Sequence, residues 1–150
     1  MKKRVLVLCT GNSCRSQMAE GLIRHDLGGA VEVFSAGTNP SRVHPLSVRV
    51  MAEAGIDISH HRSKSVQEFV GQAFDLVITV CDSAREACPV FPSAKKTRHE
   101  PIPDPWRTWD EDEHALPAYR QARDLIRARI VPLVITELEL SPEKESDHGQ

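Results

Sequence analysis

The sequence predicts an α/β fold: one domain over residues 1–138, a three-layer sandwich with a central parallel four-stranded sheet and helices on both faces, then a polar tail over 139–150. Three observations carry this expectation. Strand-like and helix-like runs alternate from beginning to end, the order a parallel sheet needs because each crossover must make room for a helix. The runs VLVL at 5–8 and LVITV at 76–80 are almost continuously apolar, as strands covered on both faces are. The 150 residues, 40% hydrophobic and 27% charged, suffice for one core, and no repeat or linker divides them.

The elements follow in order. Arg4–Leu8 reads as a buried strand. Arg15–Leu27 reads as a helix with Met18, Leu22 and Ile23 on one side and Gly28-Gly29 as its stop. In AVEVFSAG, Val31, Val33 and Ser35 alternate with Glu32, Phe34 and Ala36, a second strand ended by Gly37. Pro45–Ala54 carries Leu46, Val50 and Met51 as a second helix stopped by Gly55. Val66–Ala73 reads as a short helix, FDLVITVC as a third strand, and DSAREAC as two helical turns stopped by Pro89. KKTRHE is a weaker fourth strand. PIPDPWRTWDEDEHALP, with three prolines before Trp106, has no regular pattern. Tyr119 to about Leu138 is the longest helix, which Pro132 is expected to kink or end, and SPEKESDHGQ is a polar tail expected to be disordered.

The formal net charge of -2 gives no basic excess to attract nucleic acid or an anionic membrane. The opening MKKRVLVLC has a basic then apolar order, but the apolar run is too short for a signal peptide, and no run reaches membrane-spanning length. The expectation is a cytoplasmic monomer with no cofactor and no metal. The four cysteines, Cys9, Cys14, Cys81 and Cys88, are then read as fillers or as chemistry rather than structural disulfides.

One loop combines features with a chemical meaning. Cys9 ends a strand, and Thr10, Gly11, Asn12, Ser13 and Cys14 lead to Arg15 and Ser16 at the start of a helix. Successive backbone N–H groups in such a loop form a nest for an oxyanion, and the helix amino end adds partial positive charge. Arg15 supplies a planar fork for two oxygens of a tetrahedral anion. A cysteine in that environment is held as thiolate, so Cys9 is the candidate nucleophile, with Ser16 able to bond its sulfur and Asn12 able to brace the loop. Cys14 has no such call on it and reads as packing filler. Asp104 sits between two prolines in PIPDPW; Asp-Pro is also an ordinary turn dipeptide.

CTGNSCRS resembles the signature of the low-molecular-weight protein tyrosine phosphatase superfamily, and most closely its arsenate reductase branch. The similarity extends from Arg4 to about Val134. It implies Cys9 as nucleophile, Arg15 as oxyanion clamp, Asn12 and Ser16 as supporting groups, and Asp104 in a mobile loop as general acid. It also gives a meaning to VITVCDSAREACP, because in the reductase branch two further cysteines on a helical segment carry a redox relay. Cys81 would take the Cys9 sulfur and release arsenite, Cys88 would then take Cys81, and thioredoxin or a similar dithiol protein would reduce the final disulfide. If residues 81–88 are helical, the two Cα atoms lie ~10 Å apart, beyond the ~4.4–6.8 Å of a disulfide, so the segment would have to unwind.

Other readings remain. Cys81 and Cys88 also fit two buried fillers on one helix face. A phosphatase using Cys9, Arg15 and Asp104 is the alternative activity, and a non-catalytic oxyanion-binding module a third. Some relatives hold a monovalent cation beside the loop through a carboxylate; here ISHHRSKS offers Arg62 and Lys64, with Asp57 the nearest acid, so the Lys64 ammonium is expected to do the cation's work. Trp106 and Trp109 either line the site mouth or pack under the loop. His60, His61, His99 and His114 lack metal-ligand spacing and are read as solvated or structural. DEDE at 110–113 is a solvated run.

Overall fold

A computed structural model describes residues 2–81 and 90–140 of the chain. Its sheet has four strands, β1 (Lys3–Cys9), β2 (Val31–Gly37), β3 (Phe74–Thr79) and β4 (Ala94–His99), in the order β2-β1-β3-β4, all parallel. The helices are α1 (Arg15–Leu27), α2 (Pro45–Glu53) and α3 (Leu116–Glu137). Among the described residues no helix is long and apolar enough to cross a membrane.

β1 is the central strand, and Val5, Leu6, Val7 and Leu8 are fully buried. Each contributes roughly 1.5–3 kcal/mol by leaving water. The pleat divides them. Val5, Val7, Leu76 and Ile78 face a core built with Met18 and Leu22 of α1, Leu46 and Val50 of α2, and Tyr119, Ile126 and Ile130 of α3. Leu6, Leu8 and Val77 face the other way, covered by Phe69, Phe74 and Phe91. The three described α-helices therefore share one face, and the described cover on the other face includes the 3-10 turn Val66–Phe69. β4, with Lys95, Lys96, Thr97 and Arg98 exposed, is a charged edge that discourages further strand pairing.

Two elements differ from expectation. The short helix expected over Val66–Ala73 is one 3-10 turn, capped by the Ser65 side chain accepting from Gln67 N. Pro132 does not end α3, which runs unbroken from Leu116 to Glu137. The carbonyl that Pro132 leaves without an intrahelical donor belongs to Ala128, an exposed residue that water can reach, while Ile130, Val131 and Val134 on the buried stripe hold both sides of the proline to the core. α3 also begins earlier than expected, with Pro117 in its first turn, where no N–H is needed. The expected helix in DSAREAC and the tail over 141–150 lie outside the described residues, as does Cys88.

The order places β1 between β2 and β3, so the chain runs from β1 to one side and then crosses back to the other. Ligands of open parallel sheets lie at the carboxyl ends of the strands at such a switch. Cys9 is the last residue of β1, and Cys81 lies two residues past Thr79, the last of β3, whose register partner sequence pairs Leu8 with Thr79.

Candidate active site

The loop from Cys9 to Cys14 turns its carbonyl groups outward. The Cys9 carbonyl accepts from Thr38 N, Thr10 from Asn39 N at 2.9 Å, Gly11 from Ser41 N and Ser63 Oγ, Asn12 from Gln17 Nε2, and Ser13 from His44 N at 3.1 Å. In a trans peptide the next residue's N–H points opposite to the carbonyl. Outward carbonyls therefore set the N–H groups of the loop inward, toward Cys9 and the amino end of α1. Asn12 makes this possible, with φ of +46°, a left-handed conformation that asparagine tolerates better than most residues. Gly37 of β2 is pressed against the same loop: a Cβ there would overlap the Thr10 carbonyl and lie 2.9 Å from Asn12 N. α1 receives no side-chain cap from Cys14 and has no acid in its first turn.

The Asn12 side chain is buried and uses its whole capacity. Its oxygen accepts from Lys64 N and from Gln17 Nε2, both at 2.8 Å; its Nδ2 donates to Ser16 Oγ at 2.7 Å and Ser35 Oγ at 3.0 Å. The Lys64 backbone can only donate, which fixes the amide's orientation. Ser16 Oγ lies 2.8 Å from Cys9 Sγ. Ser35 Oγ donates to Glu20 Oε1 at 2.6 Å, and Lys64 Nζ lies 3.3 Å from the same oxygen. Glu20 also meets Arg24 at 2.9 Å. Burial pushes the Glu20 carboxyl up, but the Lys64 charge, the Ser35 hydrogen bond, His61 and Arg24 outweigh it and hold the group below its usual value.

Arg15 is 3% exposed, not a surface residue of α1. Its NH1 donates to the Val80 and Ile102 carbonyls at 3.3 and 3.2 Å, and NH2 lies 3.4 Å from Asp104 Oδ2. Asp104 Oδ1 accepts from Trp106 N at 3.0 Å, so the carboxylate is held across the pocket by its own turn. Cys9, Thr10, Gly11, Ser13, Cys14 and Arg15 line that pocket of about 310 Å³ together with Asp104, Trp106 and Trp109. Both tryptophans thus line the pocket.

The cysteines differ. Cys9 and Cys14 are free thiols, and both are buried. Cys14 Sγ donates to Tyr119 Oη at 3.5 Å; burial pushes its thiol up to about 11, against the smaller opposing effect of its hydrogen bonding with Tyr119, Ser13 and Ser47. Cys81 is fully buried and disulfide-bonded.

The model of the family described as low molecular weight phosphotyrosine protein phosphatase matches residues 4–144. The chain belongs to that family. Within this phosphatase family its curated relatives include a protein from Halalkalibacterium halodurans named arsenate reductase, 43% identical over 129 residues that cover 86% of this chain and 93% of the relative. A solved structure described as an arsenate reductase in the phosphate binding state superposes with TM-score 0.75 at 32% identity, covering 89% of this chain and 98% of the other. A thioredoxin-dependent arsenate reductase from Corynebacterium glutamicum superposes with TM-score 0.67 at 30% identity, covering 93% of this chain and 64% of the other. The parallel four-stranded α/β fold shared with these structures is the one predicted from the alternation of elements.

Some site residues were not singled out from the sequence. Ser35 occupies an apolar place in the Val31, Val33 alternation, and Glu20 lies among apolar residues of α1; a polar residue at each such place is a signal of a partner. The His61 side chain is buried, the structural one of the two readings left open for it, with its Nδ1 donating to Gln17 Oε1 at 2.9 Å, and His44 is fully buried beside Trp109. Asp110–Glu113 is exposed as expected. Among the described residues no group of three or more His, Cys, Asp or Glu is arranged to hold a metal ion.

Proposed function

We propose that this protein reduces arsenate to arsenite through a Cys9/Cys81/Cys88 sulfur relay recharged by thioredoxin or a similar dithiol protein. The observation that carries the reading is that Cys9, Arg15 and Asp104 line one pocket, with Arg15 3.4 Å from Asp104, and that Cys81 lies just beyond the end of the strand next to β1. The names of the relatives support the substrate.

The chemistry follows from the groups present. The nest and the Arg15 fork bind a tetrahedral oxyanion in place of water. The Cys9 thiolate, stabilised by the Ser16 hydroxyl, attacks arsenic, and Asp104 protonates the departing oxygen, which leaves as water. The Cys81 thiolate of the reduced enzyme then attacks Cys9 sulfur. The As–S electron pair stays with arsenic, which leaves as As(III), and a Cys9–Cys81 disulfide forms. Cys88 attacks Cys81 and frees Cys9. The sum is arsenic acid plus two thiols giving arsenous acid, one disulfide and water: two electrons pass from sulfur to arsenic. A disulfide at Cys81 together with a free Cys9 is the sulfur distribution with which this sequence ends.

The Lys64 ammonium, 3.3 Å from Glu20, would supply the positive charge that a monovalent cation supplies in some relatives, so activity is expected not to rise strongly with added potassium. The second reading, hydrolysis of a phosphate monoester by Cys9, Arg15 and Asp104, is favoured by the family membership and by Trp106 and Trp109 in the pocket lining, where an aryl leaving group would stack.

A coupled assay with thioredoxin, thioredoxin reductase and NADPH separates the two. Arsenate-dependent NADPH consumption that Cys81→Ser abolishes is expected. Hydrolysis of p-nitrophenyl phosphate with no arsenate-dependent NADPH consumption would leave the phosphatase reading.

A further inference from the structure

The pocket has two walls from distant parts of the chain: the Cys9–Arg15 loop and the 102–112 segment that carries Asp104. His44 touches both. Its backbone N–H donates to the Ser13 carbonyl at 3.1 Å, and Ser47 Oγ of the helix it caps donates to the same carbonyl at 3.4 Å. Its side chain is fully buried. Leu46 N donates to His44 Nδ1 at 3.0 Å, which leaves the ring proton on Nε2, and Nε2 donates to the Thr108 carbonyl at 2.7 Å. The ring stacks on Trp109 at 5.4 Å and 14°. Trp109 in turn meets Trp106 edge-on at 5.9 Å, and Trp106 N holds Asp104 Oδ1. Arg42 covers Trp109, with its guanidinium carbon 4.4 Å from the ring centroid.

We infer that His44 is a positioning residue that couples the nucleophile loop to the acid-bearing segment, setting where Asp104 stands relative to Cys9. Each link has a physical reason. A segment with prolines at 101, 103 and 105 and no helix or strand across 101–112 has little ladder hydrogen bonding of its own, so its register against the pocket depends on side-chain anchors. His44 supplies a buried hydrogen bond to one of its carbonyls and a flat surface for one of its rings, from a position that α2 and the Ser13 carbonyl already fix. A displacement of about 1 Å in a proton donor is enough to lower a rate on the order of 10²-fold. The inference rests on Asp104 being the proton donor, and the experiment below separates the two.

Single-turnover formation of arsenite by the reduced protein is measured for wild type, His44→Asn, Asp104→Asn and the double variant. Asparagine keeps the cap, because its carbonyl oxygen accepts from Leu46 N, but it is too short for Thr108 and cannot stack on Trp109. His44→Asn is expected to slow arsenite formation about 10-fold. Half-saturation by arsenate and the rate of Cys9 alkylation by iodoacetamide should stay within about twofold. His44→Gln, whose longer amide reaches toward Thr108, should recover part of the rate. The double variant should be no slower than Asp104→Asn alone, because the two residues act through one proton transfer. Trp109→Leu, which removes the stack without touching α2, should lose rate in the same way and serves if the histidine variant does not fold. An unchanged rate in His44→Asn, or losses that multiply in the double variant, overturns the inference. An unchanged rate in Asp104→Asn instead overturns the assignment of the proton donor and the inference with it.

Discussion

Ser16 Oγ lies 2.8 Å from Cys9 Sγ, and a third residue, Asn12, holds that hydroxyl in place. Asn12 Nδ2 donates to the same Ser16 Oγ at 2.7 Å, which leaves the hydroxyl proton available to a Cys9 thiolate. Asn12 is held in turn by Lys64 N and Gln17 Nε2. A hydroxyl at that distance can donate to a thiolate nucleophile, the role proposed for Cys9.

Ser16→Ala removes the proton donor and leaves the Asn12 amide without one acceptor. A hydrogen bond to a charged group contributes about 1.5–3 kcal/mol. Alkylation of Cys9 by iodoacetamide at neutral pH is therefore expected to slow by roughly 10-fold or more, by the tenfold per ~1.4 kcal/mol conversion. Mass-spectrometric time courses measure it; an unchanged rate would mean that the hydroxyl does not stabilise the attacking sulfur.

Cys14 should behave oppositely. With its thiol pushed up to about 11 by burial, it stays protonated through pH 8, and a protonated buried thiol is a poor nucleophile. Peptide mapping after brief alkylation of the reduced, folded protein at pH 8 should find label on Cys9 and essentially none on Cys14. Comparable labelling of both would contradict the assigned environments.

Glu20 links acid stability to the site. Its carboxyl is held below the ordinary value in the folded protein, the net of burial acting upward and Lys64, Ser35, His61 and Arg24 acting downward. A depressed carboxyl contributes stability that is present above its unfolded value and is lost as pH falls through the folded one. Glu20→Gln should then destabilise the protein at pH 7 by about 3 kcal/mol, because Lys64 and Arg24 lose their buried partner, and the difference should shrink toward pH 3. Urea unfolding at both pH values tests this; a difference independent of pH would contradict it. The same ion pair predicts turnover that does not rise when potassium replaces a bulky organic cation in the buffer.

Gly37→Ala should damage the site from behind. Its Cβ would overlap the Thr10 carbonyl, and backbone there cannot swing aside as a side-chain tip can. Overpacking of this kind destabilises by roughly 1–3 kcal/mol. Because the displaced atoms belong to the loop proposed to bind the oxyanion, arsenate or phosphate binding by calorimetry should weaken as well. Weakened stability with unchanged anion binding would show that the loop absorbs the methyl group without moving.

The sheet and α1 were legible because their signals are local. Apolar strand runs, glycine stops and the C-x5-R-S loop need no distant partner to be read, and Arg15–Leu27 appears with the bounds that its apolar spacing suggests. What was not legible depends on contacts across the chain. His44 gives no signal in TNPSRVHP, since its role comes from Thr108 and Trp109, more than sixty residues away. Pro132 was expected to kink or end the helix, and the end does not occur there for the opposite reason. The rule against proline in helices assumes that the orphaned carbonyl is stranded, whereas Ala128 is solvent-exposed and packing on both sides holds the helix together. The Trp pair was ambiguous from sequence because lining a mouth and packing under a loop demand the same residue type.

The most direct test of the account is disulfide mapping after one equivalent of arsenate is given to the fully reduced protein without thioredoxin. The relay predicts one arsenite released per chain, a Cys81–Cys88 disulfide and a free Cys9. Arsenate left unreduced, or arsenite released while the disulfide still holds Cys9, would contradict it.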